Sequence, residues 1–245
     1  MSRTIVIGDI HGALAALTQV MARAAITTSD KLIFLGDYVD GWPESAGVIS
    51  LLQEIATRQP CIFIKGNHDV WCEEWLRDAT ENHTWLAHGG LETISSYSHF
   101  SPEAKKAHLH FFEEMPYYFI DDLRRLFIHA GFTSMQGPEK EFHRPFFSWD
   151  RSLWETALGL NPALPKWDLY YPKRLRLFEE IYIGHTPTIH YNSSIPMFAA
   201  NVCNMDTGAG FHGRLSMMDI NSKQVWQSDE VPTFYPNDMG RKLYR

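Results

Sequence analysis

Six residues of the chain have metal-ligand chemistry and recur at matching places: Asp9, His11, Asp37, Asn67, His129 and His185. Each closes a short apolar run. Thr4-Ile5-Val6-Ile7-Gly8 leads into Asp9 and His11, Leu32-Ile33-Phe34-Leu35-Gly36 into Asp37, and Cys61-Ile62-Phe63-Ile64-Lys65-Gly66 into Asn67. Leu126-Phe127-Ile128 leads into His129, and Ile181-Tyr182-Ile183-Gly184 into His185. Three imidazoles, two carboxylates and one amide suit borderline divalent ions such as Mn²⁺, Fe²⁺ or Zn²⁺. Six ligands exceed what one tetrahedral ion takes. They suit two ions about 3.5 Å apart that share a bridging carboxylate, polarise a phosphoryl oxygen and generate a hydroxide nucleophile. One strand-end aspartate alone would be turn chemistry; five correlated strand ends are not explained that way.

For these side chains to meet, the strands must end at one sheet edge, where open α/β folds place their sites. Apolar runs of four or five residues that stop at a turn read as buried strands. Leu14, Leu17, Val20, Met21 and Ala24 recur at helical spacing and predict a helix to about Ala25. Pro43 can open a second helix with Val48, Leu51, Leu52 and Ile55 inside, ending between Arg58 and Pro60. Strand, helix, strand, helix, strand is a βαβαβ unit, hence a parallel sheet with right-handed crossovers.

Beyond Asp69 the pattern changes. Residues 70 to about 85 and 102–115 read as helices, the second ended by Pro116. Residues 132–180 hold five prolines and many aromatics and read as loops and short helices capping the site, or as an interaction surface. Residues 197–205, 214–220 and 224–227 read as closing strands. The polar tail, 232–245, is expected to be loosely held. With no linker or repeat, the whole of 1–245 reads as one domain.

Composition excludes more than it names. A net charge of −7 offers no basic field for nucleic acid or an anionic membrane. No stretch of about 18 apolar residues occurs, and the opening residues carry no signal-peptide core. The 3 cysteines are scattered without a C-x-x-C, as expected of reduced thiols in a cytoplasmic protein.

Gly8-Asp9-Ile10-His11-Gly12, Gly36-Asp37-Tyr38-Val39-Asp40-Gly41, Gly66-Asn67-His68-Asp69, His129-Ala130-Gly131 and Gly184-His185-Thr186 together resemble the motifs of the calcineurin-like metallophosphoesterases. Among these they are most similar to the bacterial branch of the serine/threonine phosphoprotein phosphatases. The resemblance spans roughly Thr4 to Asp219. It implies an α/β sandwich of two mixed β-sheets flanked by helices, with two divalent metal ions (Mn²⁺ first, Fe or Zn as alternatives) at one edge. By the same resemblance Asp9 and His11 hold the first metal, Asp37 bridges, and Asn67, His129 and His185 hold the second. Asn67 would also touch substrate. His68 resembles the general acid and Asp40 the carboxylate that orients it, a pairing that keeps an imidazole protonated in one tautomer. Asp206 is read either as support for the ligands or as a plain turn aspartate.

Two positions depart from the family. Gly41-Trp42 stands where the family has Arg-Gly, so one arm of the phosphate clamp is absent or supplied elsewhere. Asp69 replaces the usual glutamate. Phe147-Ser148-Trp149-Asp150-Arg151 resembles an arginine stretch of the bacterial enzymes and makes Arg151 the expected clamp, with Arg144 and Lys65 behind it. Its plain alternative is a surface arginine paired with Asp150 or Glu155. Trp71 and Trp75 are expected to pack, and His88 to lie outside the metal shell.

The expected activity is hydrolysis of phosphomonoesters by direct attack of a metal-bound hydroxide, on a phosphorylated protein (Ser/Thr or Tyr) or a small phosphoester, without nucleic-acid or membrane partners. The rivals are a nucleotide or diadenosine-polyphosphate hydrolase, decided by loops 132–180, and a low-turnover phospho-binding module. Retention of the acid, which binding alone would not require, argues against the module.

Overall fold

The structure, a computed structural model, describes residues 2–80 and 82–241. In chain order the first half holds β1 (Thr4–Ile7), α1 (Leu14–Arg23), β2 (Lys31–Phe34), α2 (Ser45–Ala56), β3 (Cys61–Phe63), α3 (Asn67–Asp78), α4 (His83–Trp85), α5 (Leu91–Ser96) and α6 (Pro102–Glu113). The second half holds β4 (Tyr118–Ile120), β5 (Leu126–Ile128), α7 (Phe146–Trp149), α8 (Ser152–Leu158), α9 (Lys173–Arg176), β6 (Ile181–Ile183), β7 (Met197–Ala199), β8 (Val202–Asn204), β9 (Ser216–Asp219) and β10 (Val225–Gln227).

The strands form two five-stranded sheets, ordered β10-β9-β1-β2-β3 and β4-β5-β6-β8-β7. In the first, parallel β1, β2 and β3 are followed outward by antiparallel β9 and β10. In the second, parallel β5, β6 and β8 are flanked by antiparallel β4 and β7. The continuous apolar runs follow from burial of both faces of the parallel strands. Ile5 and Ile7 pack under the helices of the first half while Val6 faces the opposite sheet. Likewise Leu126 and Ile128 meet the α7–α9 layer, and Phe127 turns inward to stack on Tyr182 at 5.0 Å between ring centroids. Helices, sheet, sheet, helices is therefore the order of layers, as expected from the motifs.

Four local expectations change. The helix expected over 70–85 starts at Asn67 and stops at Ala79, whose φ of 59° is left-handed, and the chain resumes only at α4. A wide turn over Leu86–Gly90, with Gly89 at φ 108°, then swings the chain into α5. The strand expected over 197–205 is a hairpin, turned at Ala200 (φ 50°). β4, too short for periodicity to reveal, pairs antiparallel with β5. The tail is not loose: Val231 and Tyr235 are buried, Tyr235 stacks on Trp42 at 5.2 Å, and the Arg241 amide donates to Gly210 O at 2.9 Å. Residues 242–245 of that tail lie outside the described residues. No described helix is long and apolar enough to cross a membrane.

Candidate functional site

The parallel registers place the carboxyl ends of β1, β2, β3, β5, β6 and β8 at one edge, and each of the six expected ligand residues sits just past one of them. Glycines permit the close approaches, one between neighbouring strand ends of the first sheet and one between the two sheets. A Cβ at Gly66 would lie 2.2 Å from Asp37 Oδ1, and one at Gly184 only 2.0 Å from Asp9 Oδ1. His11, Asp37, Asp40 and His185 hold positive φ of 54°, 54°, 74° and 65°. For a residue with a Cβ this costs about 1 kcal/mol or more, and such strain gathers at functional sites.

Asp37 is central. Its Oδ2 lies 3.6 Å from His11 Nε2 and 3.4 Å from His129 Nε2. Ligand atoms of Asp37, His129 and His185 lie within 4.8 Å of one another, and so do those of His11, Asp37 and His68. Asp9 Oδ2 stands 4.0 Å from His11 Nε2. The backbone fixes the imidazole tautomers: His129 Nδ1 donates to Leu35 O at 2.8 Å, and His11 Nδ1 to Val39 O at 3.1 Å. Each neutral ring then presents a bare Nε2 to the centre, the usual arrangement of a ligating histidine. Asn67 Oδ1 lies 3.2 Å from His129 Nε2, a gap that a proton or a metal ion on the ring bridges.

Charge makes the same demand. Asp9, Asp37, Asp40, Asp69 and Asp206 are all buried at this edge. Burial, with Asp206 alongside, pushes the Asp9 carboxyl well above its usual range. Burial also raises Asp206 to about 6, against a hydrogen bond from the Gly208 amide. For Asp37 burial is outweighed by the charges of His129 and His68, which hold it well below the usual range. His185 is kept neutral by burial and by the charges of His129 and Arg151, as a ligand requires. His129, despite burial, is pushed up to about 10 by Asp37 and Asp9, so a proton stands where a divalent cation would serve. Asp9 Oδ1 and His185 Nε2 are buried with no hydrogen-bond partner. Orphaned atoms and crowded carboxylates fit a pair of cations.

His68 stands beside this cluster at the start of α3. Its amide donates to Asp37 Oδ1 at 3.0 Å, and its Nδ1 meets Asp40 Oδ2 at 2.6 Å. Asp40 is itself held by Trp85 Nε1 at 2.8 Å and Thr93 Oγ1 at 2.6 Å, two residues the strand-end pattern did not reveal. Burial and Arg241 lower the His68 imidazole, while Asp37 and Asp40 raise it. Asp69 works on the backbone: its carboxylate accepts from the amides of Asp37, Tyr38 and Gly66 at 2.8, 2.9 and 2.8 Å. The shorter side chain thus pins the β2 and β3 turns together. Asp206 accepts from the Gly208 amide like a turn aspartate and also sets its charge next to Asp9.

A cavity of about 230 Å³ opens over the cluster, lined by Asp37, Asn67, His68, His185, Thr84, His88, Trp71, Trp149, Arg151 and Arg241. Arg151 is exposed there, and its side chain makes no hydrogen bond or ion pair with any described residue. Its expected competitor Asp150 is occupied, bonding the Ser152 and Leu153 amides and lying 3.7 Å from Arg174. Lys65 and Arg144 instead line a separate cleft, where Lys65 pairs with Glu73 at 2.5 Å. Trp71 corrects its expectation: only Trp75 packs inward, against Trp85 and Tyr97, whereas Trp71 walls the cavity. Trp71 meets Trp149 at 5.2 Å and His68 at 5.0 Å between centroids, and Trp149 meets His185 at 5.9 Å. His88 lines the mouth beside Trp71, with its Nδ1 on Thr84 O. Arg241 was not foreseen: its Nη1 comes within 3.1 Å of His11 Nε2.

Comparison with known proteins agrees on family and fold. The model of the calcineurin-like phosphoesterases matches residues 2–203. A bis(5'-nucleosyl)-tetraphosphatase PrpE [asymmetrical] of Bacillus anthracis is 28% identical over 229 residues, covering 87% of this chain and 88% of that protein. A serine/threonine phosphatase structure from Saccharomyces cerevisiae superposes with a TM-score of 0.62 at 13% identity, covering 93% of this chain and 80% of that one. A metallophosphoesterase from Sphaerobacter thermophilus superposes with a TM-score of 0.54 at 17% identity, over 99% and 89% of the two chains. At these identities the two structures speak for the fold.

Proposed function

We propose, for a chain that belongs to the calcineurin-like phosphoesterase family and is a metal-dependent phosphoester hydrolase, that the edge site hydrolyses dinucleoside polyphosphates. The observation that carries the substrate class is the indole wall: Trp71 and Trp149 stand over the ligand cluster and leave ring surface facing the cavity, with Trp149 41% exposed at its rim. A nucleobase stacks on such a surface, worth about 1–3 kcal/mol. The names of the curated relatives support the same reading.

In this reading Asp9, His11 and Asp37 would hold one divalent ion and Asp37, Asn67, His129 and His185 the other. Two bound ions supply Lewis acidity and an activated water. The chain supplies the rest. Asn67 Nδ2 and Arg151 hold phosphate oxygens. His68, kept in one tautomer by Asp40, delivers its Nε2 proton to the departing oxygen. A phosphate dianion docked beside His68 adds negative charge and favours the protonated ring, which offsets the burial that lowers it.

The test is a ranking of kcat/KM with Mn²⁺ for diadenosine tetraphosphate, a phosphoserine peptide and p-nitrophenyl phosphate. The dinucleotide is expected to lead the peptide by at least about 10-fold, and Trp71→Ala with Trp149→Ala to raise its KM by about 10-fold. The same pair should leave p-nitrophenyl phosphate within about 2-fold, since a single ring has little to stack on. A phosphopeptide preferred over the dinucleotide would return the assignment to the phosphoprotein class.

A further inference from the structure

The geometry points to Arg241, from the C-terminal tail, as a second phosphate-binding guanidinium of this site, taking the place that a side chain at residue 41 would fill. The inference rests on the phosphohydrolase reading above and adds a residue to it.

Several features converge on this arginine. Its Nη1 reaches 3.1 Å from His11 Nε2, and it lines the same cavity as His68 and Arg151. Its Nε is buried with no partner. A guanidinium has five donors, and leaving one of them unsatisfied in a buried setting costs free energy unless a ligand accepts it. Among the described residues no carboxylate forms an ion pair with Arg241, whose side chain meets His11 and the Phe211 ring. A structural arginine so placed would be paired; this one faces the space where phosphate oxygens must come.

Position 41 explains how the tail gets in. A Cβ on Gly41 would lie 2.8 Å from Arg241 Cγ, so a side chain at 41 would push Arg241 from its present position. The next residue, Trp42, is fully buried and serves as the tail's platform. Its Nε1 donates to Ala209 O at 2.7 Å, its ring stacks on Tyr235 at 5.2 Å, and a Cβ on Gly240 would lie 2.6 Å from that ring. Gly240 has φ 59°, and the turn there aims Arg241 inward, its guanidinium 5.0 Å from the Phe211 ring centroid. Gly41, Trp42, Gly240 and Arg241 are thus one device spread over the two ends of the chain. Two guanidiniums then face the phosphate, Arg151 from the rim and Arg241 from the side of His11. A chain of linked phosphates has enough oxygens for both.

The test compares wild type, Arg241→Ala and Arg241→Lys, each checked for fold by its melting curve. Two readouts are taken: the affinity of inorganic phosphate by calorimetry on the Mn²⁺-loaded protein, and bound Mn²⁺ per chain. Arg241→Ala should weaken phosphate binding and lower kcat/KM by about 10²-fold with metal content unchanged. Arg241→Lys should recover only part of this, because an ammonium lacks the fork. Millimolar guanidinium ion, well below denaturing levels, should restore activity to Arg241→Ala and not to wild type. If Arg241→Ala binds Mn²⁺ more tightly and binds phosphate as wild type does, the guanidinium merely stands in for a cation and the inference is overturned. Unchanged phosphate affinity and kcat/KM overturn it as well, and in either case an active wild type leaves the phosphohydrolase reading standing.

Discussion

The floor and the roof of this cavity are built by opposite means. The floor is made of strand ends: Asp9, His11, Asp37, Asn67, His129 and His185 follow five apolar runs that stop at the same edge. The roof is made of pieces with no common element: Trp71 from α3, Thr84 and His88 from the α4 turn, Trp149 and Arg151 around α7, and Arg241 from the tail. A ligand cluster needs fixed geometry, and strands buried on both faces provide it. Substrate contacts sit on segments that can change length without disturbing a core. The difference predicts that floor substitutions abolish the chemistry while roof substitutions rescale it.

The largest effect is expected at Asp37, the carboxylate shared by His11 and His129. Asp37→Asn should lower kcat by at least about 10³-fold and lower bound metal with it, while the melting curve stays within a few degrees. Both metals and near-normal turnover in this variant would erase the distinction between floor and roof.

His68 lies at the join of the two, on the first turn of α3 but held by Asp40 beneath it. His68→Asn should keep its metal and lose about 10²–10³-fold in kcat on phenyl phosphate or a dinucleotide. The loss should shrink on p-nitrophenyl phosphate, whose leaving group hardly needs a proton. Equal losses on both substrates would remove His68 as the acid.

On the roof, Arg151→Ala should lower kcat/KM by about 10–10²-fold at full metal content. This is less than expected of a sole clamp, because Arg241 shares the cavity. A loss of more than about 10³-fold would put the whole burden on Arg151.

The smallest effect concerns the scaffold below α2 and α6. His108 is buried between Ser50 Oγ at 3.2 Å and Tyr97 OH at 2.9 Å, and burial pushes its imidazole down to about 4. Between its unfolded value of about 6.5 and that folded value, the unfolded chain binds a proton that the folded chain does not. Stability should therefore fall as pH drops from about 6.5 toward 4, by about 1 kcal/mol from this group. His108→Gln should flatten that slope in denaturant titrations at pH 7 and 4.5. An unchanged slope would mean the ring titrates normally in the fold.

How much of this was legible follows from the same contrast. The floor could be read because period, run length and a polar stop recur at each strand end, and the resemblance then gave each expected ligand a place. Trp85 and Thr93 left no such trace: they act by touching Asp40 across 45 and 53 residues. Trp71 was misassigned because helical spacing to Trp75 looks alike whether one ring or both face the core. Arg241 was hidden most deeply. It lies in a polar tail that composition marks as loose, and only the fold shows why it is not: Val231 and Tyr235 are buried and Tyr235 stacks on Trp42. The departure at Gly41-Trp42 was visible as a loss; its compensation required the fold.

The two-cation floor is tested most directly by stripping the protein of metal and titrating Mn²⁺ back, counting bound ions per chain while following hydrolysis of p-nitrophenyl phosphate. Activity should rise with binding and level off at two ions per chain. Full activity with one ion bound, or with none, would contradict it.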